Sequence, residues 1–181
     1  MFITFILSII ILYFYHHTKG ILSLILSISF FIGLFGSIWS LFSFNEKRRQ
    51  RNRQKYIKER QQVLKAGADN IESLTPVQFE KYCGILLEDK GWSVNYTTAT
   101  GDYGVDIIAI RNGEKMVVQC KHYTFNVGVS AVQEVFAGKT FYRAQRACVV
   151  ASRGGFTRSA KKLAEKTGVE VIGVINLKYI K

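Results

Sequence analysis

The sequence predicts an α/β domain, a sheet flanked by helices, behind two apolar helices that cross a membrane. Three observations predict it. Residues 21–44 contain no charged side chain. Beyond residue 70, apolar runs of helical and period-two spacing follow one another in the order α-β-β-β-α-β-α-β. Finally, Asn112-Gly113 stands between two apolar runs, a signal for a two-residue hairpin.

Composition narrows the field. At 181 residues the chain is too short for a large multidomain enzyme. With 48% hydrophobic residues and one Pro, it is neither disordered nor collagen-like. The net charge of +12 is unevenly distributed. Residues 1–45 carry one basic residue, Lys19, and no acid; residues 46–65 hold nine basic residues and two acids. The high pI therefore comes mainly from a short central stretch, which excludes a uniformly basic domain. Cys83, Cys120 and Cys148 form no CxxC pair, so neither a disulfide framework nor a zinc site is indicated. Their apolar neighbours predict buried free thiols, as in a reducing compartment.

The first two elements are the apolar runs. Residues 21–44 would rise about 36 Å as a helix, enough for a hydrocarbon core of about 30 Å. Residues 1–15 would rise about 22 Å and need local thinning or a start at the terminus itself. Tyr13, Tyr15 and Trp39 lie near the ends of the runs, where amphipathic rings prefer the interface. His16-His17-Thr18-Lys19-Gly20 then reads as a tight connection between two spans. No basic n-region or clear cleavage site marks a signal peptide. The basic cluster that follows should stay cytoplasmic, which puts both termini and the soluble domain on that side of the cell membrane. The same cluster suits anionic lipid, and a nucleic-acid contact is its second reading. The expected division is 1–45 membrane hairpin, 46–69 basic linker and 70–181 soluble domain.

The linker reads as a polar helix ending at Gly67. A helix then starts after Thr75, with Pro76 at its first position and Gln78 completing a capping box. Strand-like runs cover 92–98, 105–111 and 115–121. A helix from Ser130 to about Gln145 precedes a strand at 147–151. Thr157 caps a helix that stops at Gly168, and 169–174 is the last strand.

A two-residue turn at Asn112-Gly113 pairs Arg111 with Glu114 and sets Asp106 opposite Gln119. By alternation Gln119 and Lys121 share the face of Asp106, with Ile108 and Val117 one step away; Val105, Ile107, Val118 and Cys120 point to the other side. A three-residue loop would bring Cys120 to Asp106 instead, but the Arg111–Glu114 charge pair favours the shorter turn. A strand carboxylate with an adjacent oxygen ligand can hold a hard cation such as Mg²⁺. A lysine two positions on can steady developing negative charge. Glu80, about 100° of helical rotation from Phe79, sits at the edge of its helix's buried face and could reach the same spot.

Leu74-Thr75-Pro76 with Phe79-Glu80, Gly101-Asp102-Tyr103-Gly104-Val105-Asp106, Gln119-Cys120-Lys121 and the Ser130 helix together resemble the Mrr-like restriction endonucleases of the PD-(D/E)xK nuclease superfamily. The resemblance implies a mixed sheet flanked by helices and Mg²⁺-dependent hydrolysis of DNA phosphodiesters, often in modified DNA. It implies Asp106 as principal metal ligand and Lys121 as catalytic lysine. Gln119 and the Cys120 carbonyl would complete the metal surroundings, and Glu80 would be the helix acid. Gln119-x-Lys121 stands where the superfamily more often has acid-x-Lys, a replacement typical of Mrr-like domains. The membrane hairpin departs from the usual modified-base-reading partner and leaves substrate choice open.

Arg143, Arg146, Arg153, Arg158, Lys161 and Lys162 follow the site and would supply sequence-blind affinity for DNA phosphates. Arg153-Gly154-Gly155 before Thr157 also offers a loop and helix N-terminus to a phosphate. No base-reading motif is visible. The expected protein is a membrane-anchored Mg²⁺-dependent endodeoxyribonuclease restricting foreign or modified DNA, with no small-molecule substrate. A homodimer would follow if both strands are cut. A catalytically silent nucleic-acid-binding or assembly module on the same fold is the competing class, and a lipid-surface protein acting through residues 46–65 is a third.

Overall fold

The computed structural model describes residues 2–17, 20–97 and 103–180. Gly101 and Asp102 of the glycine-rich motif, and Thr18 and Lys19 of the expected connection, lie outside the described residues. The chain divides into two compact units, Met1–Tyr56 and Ile57–Lys181.

The first unit contains α1 (Phe2–His17) and the larger part of α2 (Ile21–Asp69). His16 and His17 complete α1 instead of belonging to a connection, because neither residue breaks a helix. Leu12, Phe35 and Leu41 are 66–69% exposed. Helices that are hydrophobic all round need an apolar environment. Among the described residues, α2 alone is long and apolar enough to cross a membrane. The 16 residues of α1 rise about 24 Å, short of a full hydrocarbon core.

The charged stretch continues α2 without interruption, past Gly67 to Asp69. Its Glu, Lys, Arg and Gln residues are good helix formers. Tertiary contacts also outweigh the glycine: Val63 is buried, Arg60 donates to Glu88 at 3.0 Å and to Asp89, and Glu59 pairs with Lys81.

In the second unit a 3₁₀ turn, Ile71–Ser73, leads into α3 (Pro76–Glu88). The expected capping box is formed. Gln78 N–H donates to Thr75 Oγ1 at 3.2 Å, and Thr75 N–H donates to Gln78 Oε1 at 2.8 Å. The strands β1 (Ser93–Tyr96), β2 (Ile107–Arg111), β3 (Glu114–Lys121), β4 (Arg146–Ala151) and β5 (Glu170–Gly173) form one mixed sheet in that order. The first three are antiparallel and the last three parallel. The helices α4 (Val129–Phe141) and α5 (Arg158–Thr167) are the crossovers, and α6 (Val174–Leu177) closes the domain. The expected α4 starts one residue late and runs four residues past Phe141. The expected last strand also extends over Val174, which instead opens α6 and is buried with Leu177.

Each face of the sheet has its own core. Phe79, Cys83 and Leu87 of α3 and Leu177 of α6 pack on Ile107, Met116, Val118, Cys148 and Val150. Val132 and Val135 of α4 and Ala160 and Ala164 of α5 pack on Val117, Ala147, Val149 and Ala151. The middle strand β3 is thus covered on both sides. The three cysteines are free thiols, Cys83 and Cys148 buried and Cys120 half-buried.

Candidate active site

The site is positioned by the hairpin. Asn112 and Gly113 have φ of 51° and 82°, the two positive angles a type I′ turn requires, and Gly113 adopts its angle at no steric cost. Arg111 faces Glu114, and the register runs regularly to Ile107 opposite Val118. There it changes. The Asp106 N–H donates to the Val118 carbonyl at 2.9 Å, so two residues of one strand meet a single residue of the other, as in a bulge.

The bulge corrects two expectations. Asp106, which the turn register sets directly opposite Gln119, bonds Val118 instead, so simple alternation no longer gives it the face of Gln119 and Lys121. Val105, expected on the side of Ile107 and Val118, faces α4 with Val117 and Val135, because the extra residue reverses the alternation. The Asp106 carboxylate is turned onto β3, where Oδ2 accepts the Cys120 N–H at 2.6 Å. It therefore lies against the peptide that joins Gln119 to Cys120.

Gln119 and Lys121 meet on a residue that sequence reasoning missed. Gln119 is 2% exposed, and its Nε2 donates to Glu134 Oε2 at 2.6 Å. Lys121 Nζ lies 3.4 Å from the same oxygen. The other end of the Gln119 amide, Oε1, is buried and accepts no hydrogen bond among the described residues. Glu134 comes from α4. A signal for it exists, since it falls three residues after buried Ala131 and four before buried Gly138, an acid at core spacing. Gly104 closes the pair off: a Cβ there would stand 2.6 Å from Glu134 Cβ and 2.9 Å from Gln119 Nε2.

On the α3 side, the Cys120 thiol is pushed well above the usual thiol range. Its hydrogen bond with Cys83 contributes most, then burial, then the nearby charges of Cys83, Asp106 and Glu80. Glu80 is half-buried on α3, and its charge, like that of Asp106, is felt at the Cys120 thiol. Gln119 and Lys121 converge on Glu134 on the α4 side. His122, next along the chain, stacks on Phe79 with centroids 5.1 Å apart, and its buried Nδ1 has no hydrogen bond among the described residues. The described residues contain no cluster of three His, Cys, Asp or Glu suited to a metal. Any cation here would rely on mixed carboxylate, amide and carbonyl oxygens.

The basic residues are dispersed. Arg146 pairs with Met116 in the parallel ladder and Lys121 with Ala151, so Arg146 lies five residues, about 17 Å, from the Lys121 end of the sheet. Its guanidinium is engaged by Glu170 at 2.7 Å and Glu114 at 3.5 Å. Arg143 precedes it at that far end, and Arg153 pairs with Glu72. Arg158 and Lys161 are exposed on α5. Part of the loop offered to a phosphate is engaged internally: Gly154 N–H donates to the Tyr123 carbonyl, Gly155 N–H donates to Asn126 Oδ1, and Ala160 N–H donates to the capping Thr157 Oγ1.

Residues 71–179 match a protein-family model described as Restriction endonuclease. No curated protein matches the chain. Among solved structures, the DNA modification-dependent restriction endonuclease AspBHI is similar at 19% identity and a TM-score of 0.48, over 66% of this chain and 35% of that one. EndoMS in apo form is similar at 18% identity and a TM-score of 0.40, over 55% and 45%. A repair endonuclease from Pyrococcus abyssi shares 27% identity at a TM-score of 0.36, over 47% and 39%. The chain spans about half or less of the length of each.

Proposed function

The chain belongs to the Mrr_cat family of restriction endonucleases, and from that premise we propose that it is a membrane-anchored endonuclease hydrolysing DNA phosphodiesters with Mg²⁺. One observation carries the reading: the buried Gln119 oxygen is left without a hydrogen bond, on the residue whose peptide link to Cys120 is held by the Asp106 carboxylate and whose NH₂ shares Glu134 with Lys121. An orphaned buried acceptor costs about 1–3 kcal/mol, and a hard cation would satisfy it. Asp106, Gln119 Oε1 and the Cys120 carbonyl would hold that cation. The chemistry such a cation would supply is polarisation of a phosphoryl oxygen and acidification of the attacking water.

The chain's own residues supply the rest. Lys121 brings positive charge to steady the negative charge developing on the phosphate. Glu80 is the further acid, on the α3 side of Cys120. Exposed Arg158 and Lys161 add salt-dependent affinity for the DNA backbone. Cutting both strands requires two such sites, hence a homodimer, and the role is restriction of foreign or modified DNA. With α2 as a full crossing and α1 as a second, shorter one that needs local thinning of the bilayer, the 46–65 cluster keeps the nuclease domain cytoplasmic.

Full-length protein in detergent should nick supercoiled plasmid with Mg²⁺ and not with a chelator. Asp106→Ala should lower the rate about 100-fold or more, by analogy with removing one stabilising group from an active site. Cutting by Asp106→Ala at the parental rate removes the assignment; DNA binding without cutting by the parent chain identifies a silent module. In right-side-out membrane vesicles the domain should resist added protease, and its digestion there would reverse the orientation.

A further inference from the structure

We infer that Glu134 is a positioning residue that fixes which end of the Gln119 amide is offered to the metal; the inference rests on the nuclease reading above. An amide side chain has two ends of similar shape and opposite polarity, a donor NH₂ and an acceptor oxygen. Left alone, it could present either end to a cation, and only the oxygen is a ligand. Glu134 removes the choice. Its carboxylate can only accept, and it takes the Gln119 NH₂ at 2.6 Å. The oxygen must then point away from Glu134, and this is the atom left buried without a partner.

The grip is itself held. Lys121 lies 3.4 Å from the same Glu134 oxygen, so one carboxylate sets both polar side chains at the end of β3. Gly104 presses bare backbone against Glu134 and the Gln119 nitrogen, leaving no space for the pair to part sideways. Such partners behind a metal ligand typically matter about 10–100-fold in affinity. The side chain of Glu134 is 46% exposed, so it is not a core residue whose loss would unfold the domain.

The test uses full-length protein in detergent, Mg²⁺ titrated by calorimetry, and thermal melting. Glu134→Ala should weaken Mg²⁺ binding about 10–100-fold in protein that stays folded at the titration temperature, with a fall in melting temperature of only the size that one orphaned Gln119 NH₂ produces. Glu134→Gln, whose amide oxygen still accepts the Gln119 NH₂, should recover Mg²⁺ affinity to within about threefold of the parent. A merely structural role would move melting and not this pattern. Unchanged affinity in Glu134→Ala, or equal loss in both variants, overturns the inference. Asp106→Ala separates the levels. If it abolishes Mg²⁺ uptake while Glu134→Ala does not weaken it, only the role of Glu134 falls. If the parent takes up no Mg²⁺, or Asp106→Ala takes it up equally well, the metal reading falls and the inference with it.

Discussion

The strand β3 has two faces, and they obey different rules. Toward α3 it presents Met116, Val118 and Cys120, packed against Phe79, Cys83 and Leu87, and the charges of Asp106 and Glu80 reach it at Cys120. Toward α4 it presents Val117, then Gln119 and Lys121, which meet Glu134. Both faces are equally closed at Val117 and Val118, each 0% exposed, and Gln119 is still only 2% exposed. The turn to polarity therefore happens inside the packed region, not where the strand emerges. A buried amide must be compensated or it costs stability. Glu134 compensates one end of this one, and the other end is left for chemistry. One face holds the strand so that the other can carry an unsatisfied atom in a fixed place.

Damaging the supporting face should produce the largest effect. Phe79 is fully buried and stacked on His122, so Phe79→Ala should cost about 3–5 kcal/mol in denaturant unfolding of the full chain. A loss under 1 kcal/mol would mean that this face does not anchor β3. Lys121→Ala attacks the other face. It should lower plasmid cleavage about 100- to 1,000-fold, equivalent to about 2.7–4 kcal/mol in the barrier, with unfolding unchanged. Equal damage to folding and cleavage would erase the distinction between the faces. Gly104→Ala should fall between the two kinds. Its φ of +71° and the contact with Glu134 predict about 1–3 kcal/mol of destabilisation, plus a cleavage defect in molecules that remain folded. Measuring cleavage per folded molecule separates the two.

Much of this was legible in the sequence. Asn112-Gly113 specifies its turn through backbone chemistry alone, and the register follows from the turn. Thr75, Pro76 and Gln78 likewise specify a helix start, because the hydrogen bonds involved are local. Longer-range features were not legible. The bulge at Asp106-Ile107 depends on how β2 meets the end of β3, so strict alternation misplaces Val105 and the pairing of Asp106. Glu134 lies fifteen residues from Gln119 and on another element, so neither periodicity nor spacing joins them. Arg146 looked like a free cation among basic neighbours; only the parallel pairing of β4 with β5 brings Glu170 to it. The continuity of α2 past Gly67 was also hidden, since it depends on ion pairs with α3.

The smallest change asks to which face Glu80 belongs. Thr75→Ala removes one of two reciprocal bonds that start α3, and losing such a cap costs about 1 kcal/mol. Thr75→Ser keeps the hydroxyl and should be nearly silent. The first turn of α3 leads directly to Phe79 and Glu80, so fraying there loosens an anchor and an acid together. If the α3 side only supports the strand, Thr75→Ala should show the stability loss and the parental rate of cleavage at a temperature where it remains folded. A cleavage defect larger than the unfolded fraction explains would instead move Glu80 from the supporting face to the chemistry, and divide the α3 side as the α4 side is divided.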